Sequence, residues 1–133
     1  MSKQYYTIAD ANRLLPQIRT QIAELRNSRE EIAIKRLKME RLRHDLGEAE
    51  HSDQFFVEEA QIEFSLLTAR QQIDHLLSQS IEVKDIDSGL VDFLTLIDGQ
   101  EAYLCWRVGE PEIRYWHGVS EGFAGRRRFG EES

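Results

Sequence analysis

The chain is poor in cysteine, proline and positive charge, and each shortage excludes something. A single cysteine, Cys105, rules out an internal disulfide framework and fits a reducing, cytoplasmic setting. No apolar run approaches the roughly 20 residues of a bilayer-spanning helix, so no membrane partner is expected. The opening residues, MSKQYYTIADAN, lack the apolar stretch of a secretory signal. Lys and Arg number 17 against 24 Asp and Glu, a formal charge of -7. Phosphate neutralisation needs clustered cations, so no nucleic-acid partner is expected either, and Arg126, Arg127 and Arg128 form the only basic run. Two prolines, Pro16 and Pro111, leave long stretches free of forced breaks. At 133 residues, one domain with a modest core is expected.

What is present begins with helix. Thr7 followed by Asp10 resembles a capping box. Leu14, Leu15, Ile18, Ile22, Leu25, Ile32, Leu37, Leu42 and Leu46 then recur at helical spacing among Arg, Lys, Glu and Gln. Pro16 should kink this helix or split off a short first segment, and Gly47 should stop it. Asp53 reads as the N-cap of a second helix bearing Phe56, Ala60, Ile62, Leu66, Leu67, Ile73, Leu76 and Leu77. A short connector makes the pair an antiparallel hairpin over residues 7–80. One hairpin buries one face of each helix, so a homodimer through the helices is expected. The stripe drifts between three- and four-residue steps, which fits a globular hairpin better than a sustained coiled coil.

After Ser80 the period becomes two. Leu90 to Ile97 and Gln100 to Val108 read as strands around Asp98-Gly99, a strong hairpin signal. A two-residue loop places Ile97 opposite Gln100, Thr95 opposite Ala102, Phe93 opposite Leu104 and Val91 opposite Trp106, which makes one face apolar. An even-length loop around Glu110-Pro111 would add a third strand, Glu112 to His117. It would pair Arg107 with Glu112, Cys105 with Arg114 and Tyr103 with Trp116, and set Ile113, Tyr115 and His117 on the apolar face. The fold class is therefore α+β: the hairpin, a three-stranded antiparallel meander over 81–117, and a Gly/Arg tail over 118–133.

Several groupings in the C-terminal half could carry chemistry, and each has a structural alternative. Asp92, Arg107, Glu112 and Arg114 form either a surface for carboxylate or phosphate ligands or the ion-paired solvent side of a sheet. His117 is a candidate general base with Glu110 or Asp87 as companion, or a histidine packed at the sheet edge. Cys105 could be a nucleophile with His117 as base, but on this register the two sit on opposite faces, and a structural thiol is the simpler reading. Gly122 to Gly125 leading into Arg126 could offer amides and guanidinium to an anion, or wrap the sheet with Phe123 as anchor. His44 and His51 flank the interhelical turn with Glu48, Glu50 and Asp53, a metal candidate or a solvated turn. His75 reads as a helix-surface residue. No HExxH, His-x-His or Cys-x-x-Cys spacing supports a metal, and the sequence leaves any cofactor unknown.

The blocks YYTIADANRLLPQIR, KDIDSGLVDF, LCWRVGEPEIRYWH and GFAGRR resemble those of DUF2203, a bacterial family of uncharacterised proteins, over nearly the whole chain. Where the family often has Glu before the Ala-Asn pair, this chain has Asp10, which should only weaken the cap. The resemblance implies no established activity. It points to Asp85, Asp87, Asp92, Trp106, Arg107, Gly109, Glu110, Trp116, His117, Gly122, Phe123, Gly125 and Arg126. The resulting expectation is a dimeric cytoplasmic binding module. Arg107 and Arg126 would supply charge to a small acidic ligand or protein partner, Glu110 and His117 directional hydrogen bonds, and Trp106 and Trp116 an apolar wall beside Asp92. The alternatives are a hydrolase-type enzyme using His117 with Glu110 or Asp87, metal-assisted or not, and a helical scaffold.

Overall fold

A computed structural model describes residues 2–46 and 52–130. Helix α1 runs Ile8–Leu46 and helix α2 Ser52–Ser78; the expected stop at Gly47 and the connector through His51 lie outside the described residues. The capping box forms in both directions. Asp10 N–H donates to Thr7 Oγ1 at 3.0 Å and Thr7 N–H donates to Asp10 Oδ2 at 3.3 Å. These bonds hold the Asp10 carboxyl below its usual range. Helix α1 is not split at Pro16. The missing N–H costs one bond, to the Asn12 carbonyl, while Leu15 and Ile18 on either side are held in the core. No helix among the described residues is long and apolar enough to cross a membrane.

The helices pack as a hairpin. Gln72 bonds Glu24 near its base and Lys35 bonds Gln61 further out, and Ile32, Met39 and Ile62 form a small outer core. At 39 residues α1 is about 58 Å long, and only its first half lies on the sheet. Ala11, Leu15, Ile18, Ile22 and Leu25 meet Ile81, Val91, Phe93, Leu104 and Trp106 in the main core. Each fully buried aliphatic side chain there contributes about 1.5–3 kcal/mol. Several stripe residues beyond it stay exposed, including Leu37, Phe56, Leu66, Leu67 and Leu77.

The sheet has five strands instead of the expected three: β1 Ile81–Asp85, β2 Leu90–Ile97, β3 Gln100–Arg107, β4 Tyr115–Gly118 and β5 Arg127–Arg128, paired antiparallel in sequence order. The β2–β3 register is the expected one, from Ile97 opposite Gln100 to Val91 opposite Trp106. Asp98 and Gly99 both take positive φ, as the two-residue turn requires.

The third-strand register is corrected by one residue. Cys105 pairs with Tyr115 and Tyr103 with His117. The cause is the segment between the strands, which is moored by tertiary bonds instead of closing as a plain hairpin. Glu110 N–H donates to the Arg107 carbonyl, Ile113 N–H donates to Asn12 Oδ1 at 2.7 Å, and Arg19 reaches the Pro111 carbonyl at 2.8 Å. Ile113 enters the core from this loop, and the strand begins only at Tyr115. A one-residue shift exchanges faces, so His117 leaves the apolar face and joins Asp92 and Cys105.

Candidate functional site

On the face of the sheet away from α1, strand alternation brings Asp92 from β2, Cys105 from β3 and His117 from β4 together. One ligand-type atom of each (carboxylate oxygen, Sγ, ring nitrogen) lies within 4.8 Å of the other two. Asp92 is 1% exposed, Cys105 0% and His117 2%. Polar groups so dry need partners, because an unpaired one costs on the order of 1–3 kcal/mol.

The partners fix the imidazole. His117 Nδ1 stands 2.8 Å from the Gly118 carbonyl oxygen, which can only accept, so Nδ1 carries the proton. Nε2 then faces Asp92 Oδ2 at 3.0 Å, and one proton must lie between them, on the imidazole or on the carboxyl. Asp92 Oδ1 has no hydrogen-bond partner among the described residues. The Cys105 thiol also bears on this carboxylate and favours its charged form. Burial lifts Asp92 above the usual carboxylate range, while His117, Cys105 and Lys84 pull the other way. Burial, reinforced by Asp92, pushes the Cys105 thiol up to about 12.

The chain after β4 folds back toward this face. Glu121 accepts the Gly118 N–H at 2.8 Å and clamps both Arg127 terminal nitrogens at 3.0 Å, while its own N–H donates to the same Gly118 carbonyl that holds His117. A Cβ on Gly118 or Gly125 would stand 3.0 or 3.1 Å from the Glu121 side chain, which would have to give by a few tenths of an ångström. The 3-10 turn Phe123–Gly125 then delivers Arg126. Its guanidinium lies 3.6 Å from the Tyr115 ring centroid and 4.7 Å from that of Phe123, and ion-pairs with Glu110 at 2.5 Å. Glu110 is itself fastened to the Arg107 N–H at 2.8 Å. The Arg126 side chain is 10% exposed, with its Nε unpartnered among the described residues. Arg126 and Glu110 are close enough to bias the Cys105 thiol in opposite directions.

The fold therefore assembles part of the expected set and separates the rest. Asp92, His117, Arg126 and Glu110 gather on or beside the second face, and Arg107 joins them through its backbone and its stacking over Phe123 at 5.1 Å. Trp106 and Trp116 lie with the opposite, apolar face; Trp106 is fully buried and donates its indole N–H to the Glu110 carbonyl at 2.8 Å. Asp87 is exposed and pairs with Arg29, and Asp85 closes a turn onto Ser88, so the Asp-rich approach docks the sheet to the helix. Arg114 pairs with its neighbour Glu112 in the loop. His75 contacts Gln79 on the helix surface, and His44 is exposed. Their turn companions Glu48, Glu50 and His51 lie outside the described residues. Glu121 is the member that sequence reasoning missed; Cys105 is weighed there as a nucleophile but set on the opposite face from His117. Strand alternation pairs Cys105 with Asp92, as observed, and the wrong loop parity alone separates His117 from them.

Residues 4–129 match a family described as "Uncharacterized conserved protein (DUF2203)". No curated protein and no solved structure matches the chain.

Proposed function

We propose that this chain, which belongs to the DUF2203 family, is a binding module. Its site is the buried polar cluster on the second sheet face, fastened behind the strap that carries Arg126. The single observation that carries this reading is Asp92 Oδ1, a carboxylate oxygen of a residue 1% exposed and without a hydrogen-bond partner among the described residues. A fold retains such an atom at a cost, which a bound group with donors or positive charge would offset. Arg126 Nε asks for an acceptor from the same ligand. A purely acidic ligand suits Arg126 and Arg107 but not Asp92. Covalent catalysis is disfavoured, since a thiol near 12 is overwhelmingly protonated at neutral pH. The hydrolase alternative has His117 beside a carboxylate, but Asp92 is that carboxylate; Glu110 is committed to Arg126, and the ring is sealed from solvent.

The module is dimeric through its hairpin. Phe56 and Phe64, 75% and 72% exposed on α2, are the apolar side chains such an interface would cover. Light scattering on wild type and Phe64→Glu checks this, with a monomeric wild type as the adverse result. The binding reading is tested by thermal shift with metals, nucleotides and small acids on wild type, Asp92→Asn and Arg126→Ala. A ligand that stabilises wild type but not Asp92→Asn is expected. Stabilisation undiminished in both variants places the site elsewhere and refutes the reading.

A further inference from the structure

We propose that the occupant of this site is a divalent transition-metal ion of the zinc class, held by Asp92, Cys105 and His117; this rests on the cluster being a ligand site at all. Three features of the geometry support it. A carboxylate oxygen, a thiol sulfur and an imidazole nitrogen from three adjacent strands converge within 4.8 Å. Metal-binding histidines characteristically give their other ring N–H to a carbonyl or carboxylate, and here Nδ1–H donates to Gly118 O at 2.8 Å, which aims Nε2 inward. That carbonyl is steadied in turn by the Glu121 N–H at 3.0 Å. The third feature is Asp92 Oδ1, buried and without a hydrogen-bond partner among the described residues.

Distances fit as well. Two ligands each about 2.0–2.1 Å from one ion in a tetrahedron stand about 3.3 Å apart. Nε2 and Oδ2 are 3.0 Å apart, so an ion can take the place of the proton between them with a few tenths of an ångström of give. The Cys105 sulfur lies within 4.8 Å of both partners, directly across the ladder from Asp92. A mixed sulfur, nitrogen and oxygen set selects zinc, cobalt or nickel over magnesium or calcium, which prefer all-oxygen cages. Three protein ligands leave one position for water or a small anion.

The charges balance. Without an ion the cluster holds the thiol proton and the proton shared by Asp92 and His117, and is neutral. A divalent ion displaces both: Cys105 binds as thiolate, Asp92 as carboxylate, and His117 through Nε2 while Nδ1 keeps its hydrogen. Two protons leave, one dication enters, and the buried site stays neutral. A monovalent or trivalent ion would leave a net charge in the dry interior.

The test uses the full chain stripped with a chelator and titrated with Co2+ and Zn2+, with Mg2+ as control. Because Cys105 is the lone cysteine, a thiolate-to-cobalt charge-transfer band reports this site and no other. One Co2+ per chain with that band is expected, with Zn2+ displacing it and calorimetry in buffers of different ionisation enthalpy giving two protons released. Cys105→Ser should abolish the band, and Asp92→Asn should weaken Zn2+ binding by at least the roughly 10- to 100-fold that even an outer-shell change costs. Circular dichroism shows that the variants remain folded. Stoichiometric Co2+ binding without the band, or unchanged Zn2+ affinity in folded Asp92→Asn, overturns the proposal. No metal binding, but a small organic ligand that stabilises wild type and not Asp92→Asn, overturns the metal and leaves the binding module standing. No ligand of either kind overturns both.

Discussion

Replacing Asp92 by Asn in the metal-free chain should leave the protein as stable as wild type or more so, although the residue is almost completely buried. Asn preserves the shape, and its amide can donate to His117 Nε2 while Nδ1–H stays on the Gly118 carbonyl. The hydrogen bonds survive and the buried ionisable pair disappears. Hydrophobic replacement of a buried ion pair is neutral or stabilising by about 1–4 kcal/mol, and Asn, which keeps the hydrogen bond and leaves no unpaired charge, should fall at the neutral end of that range. Asp92→Ala, by contrast, strands Nε2 without a partner and should cost about 1–3 kcal/mol plus a cavity term.

The pH dependence has a definite sign. Burial raises the folded value of Asp92, so the native state holds this proton more tightly than the unfolded chain, whose carboxyl titrates near about 3.9. Wild type therefore loses this contribution as pH rises from the unfolded value through the higher folded one. The advantage of Asn should accordingly widen as pH rises above the unfolded value of about 3.9. Urea unfolding with chelator across a pH series from about 4 upward measures it. Zinc should reverse the ranking, since an ion at about 100 times its Kd adds about 2.7 kcal/mol to wild type alone. If Asp92→Asn costs the roughly 3–5 kcal/mol of a broken buried ion pair, or its difference from wild type ignores pH, the account of the pair is wrong.

Gly89→Ala should destabilise by at least about 2 kcal/mol in urea unfolding: its φ of +67 strains any side chain, and a Cβ would stand 2.2 Å from Val108 Cγ2. Gly99→Ala, at φ +78 in open space, should cost only about 1 kcal/mol. Arg126→Met should loosen the strap while the sheet persists, seen as faster alkylation of Cys105 and faster amide exchange over 119–128; exchange unchanged from wild type would mean that the Glu110 pair is not the fastener. Trp106→Phe removes the indole bond to the Glu110 carbonyl and a large buried ring, and should cost about 1–3 kcal/mol in urea unfolding.

Much of the frame was legible in the chain. Alternation around Asp98-Gly99 gave the β2–β3 register pair by pair, because a two-residue turn leaves no freedom in alignment. Helical spacing located both helices, and the Thr7–Asp10 pair marked the first start. The misreadings share a cause. Strand β4 is placed by Asn12 and Arg19 of a distant helix, contacts that leave no periodic trace, so loop parity could not be counted from residues 108–114. Strand β5 is two residues long, too short for any pattern, and depends on pairing with Tyr115 and Trp116. The cluster inherited the parity error, since moving His117 by one position decides whether it meets Trp106 or Asp92.

Strand order equal to sequence order has a temporal side. A chain made from its N-terminus presents α1, α2 and the first three strands first, while Asp92 can still face water. His117 emerges next, and Arg126 and its companions last. The carboxylate is therefore withdrawn from solvent only once its proton-sharing partner exists, and the fastening that closes over them is the final step. Adjacency in sequence thus keeps every pairing in the sheet local, so the buried polar cluster is assembled from strands that need wait for no distant partner.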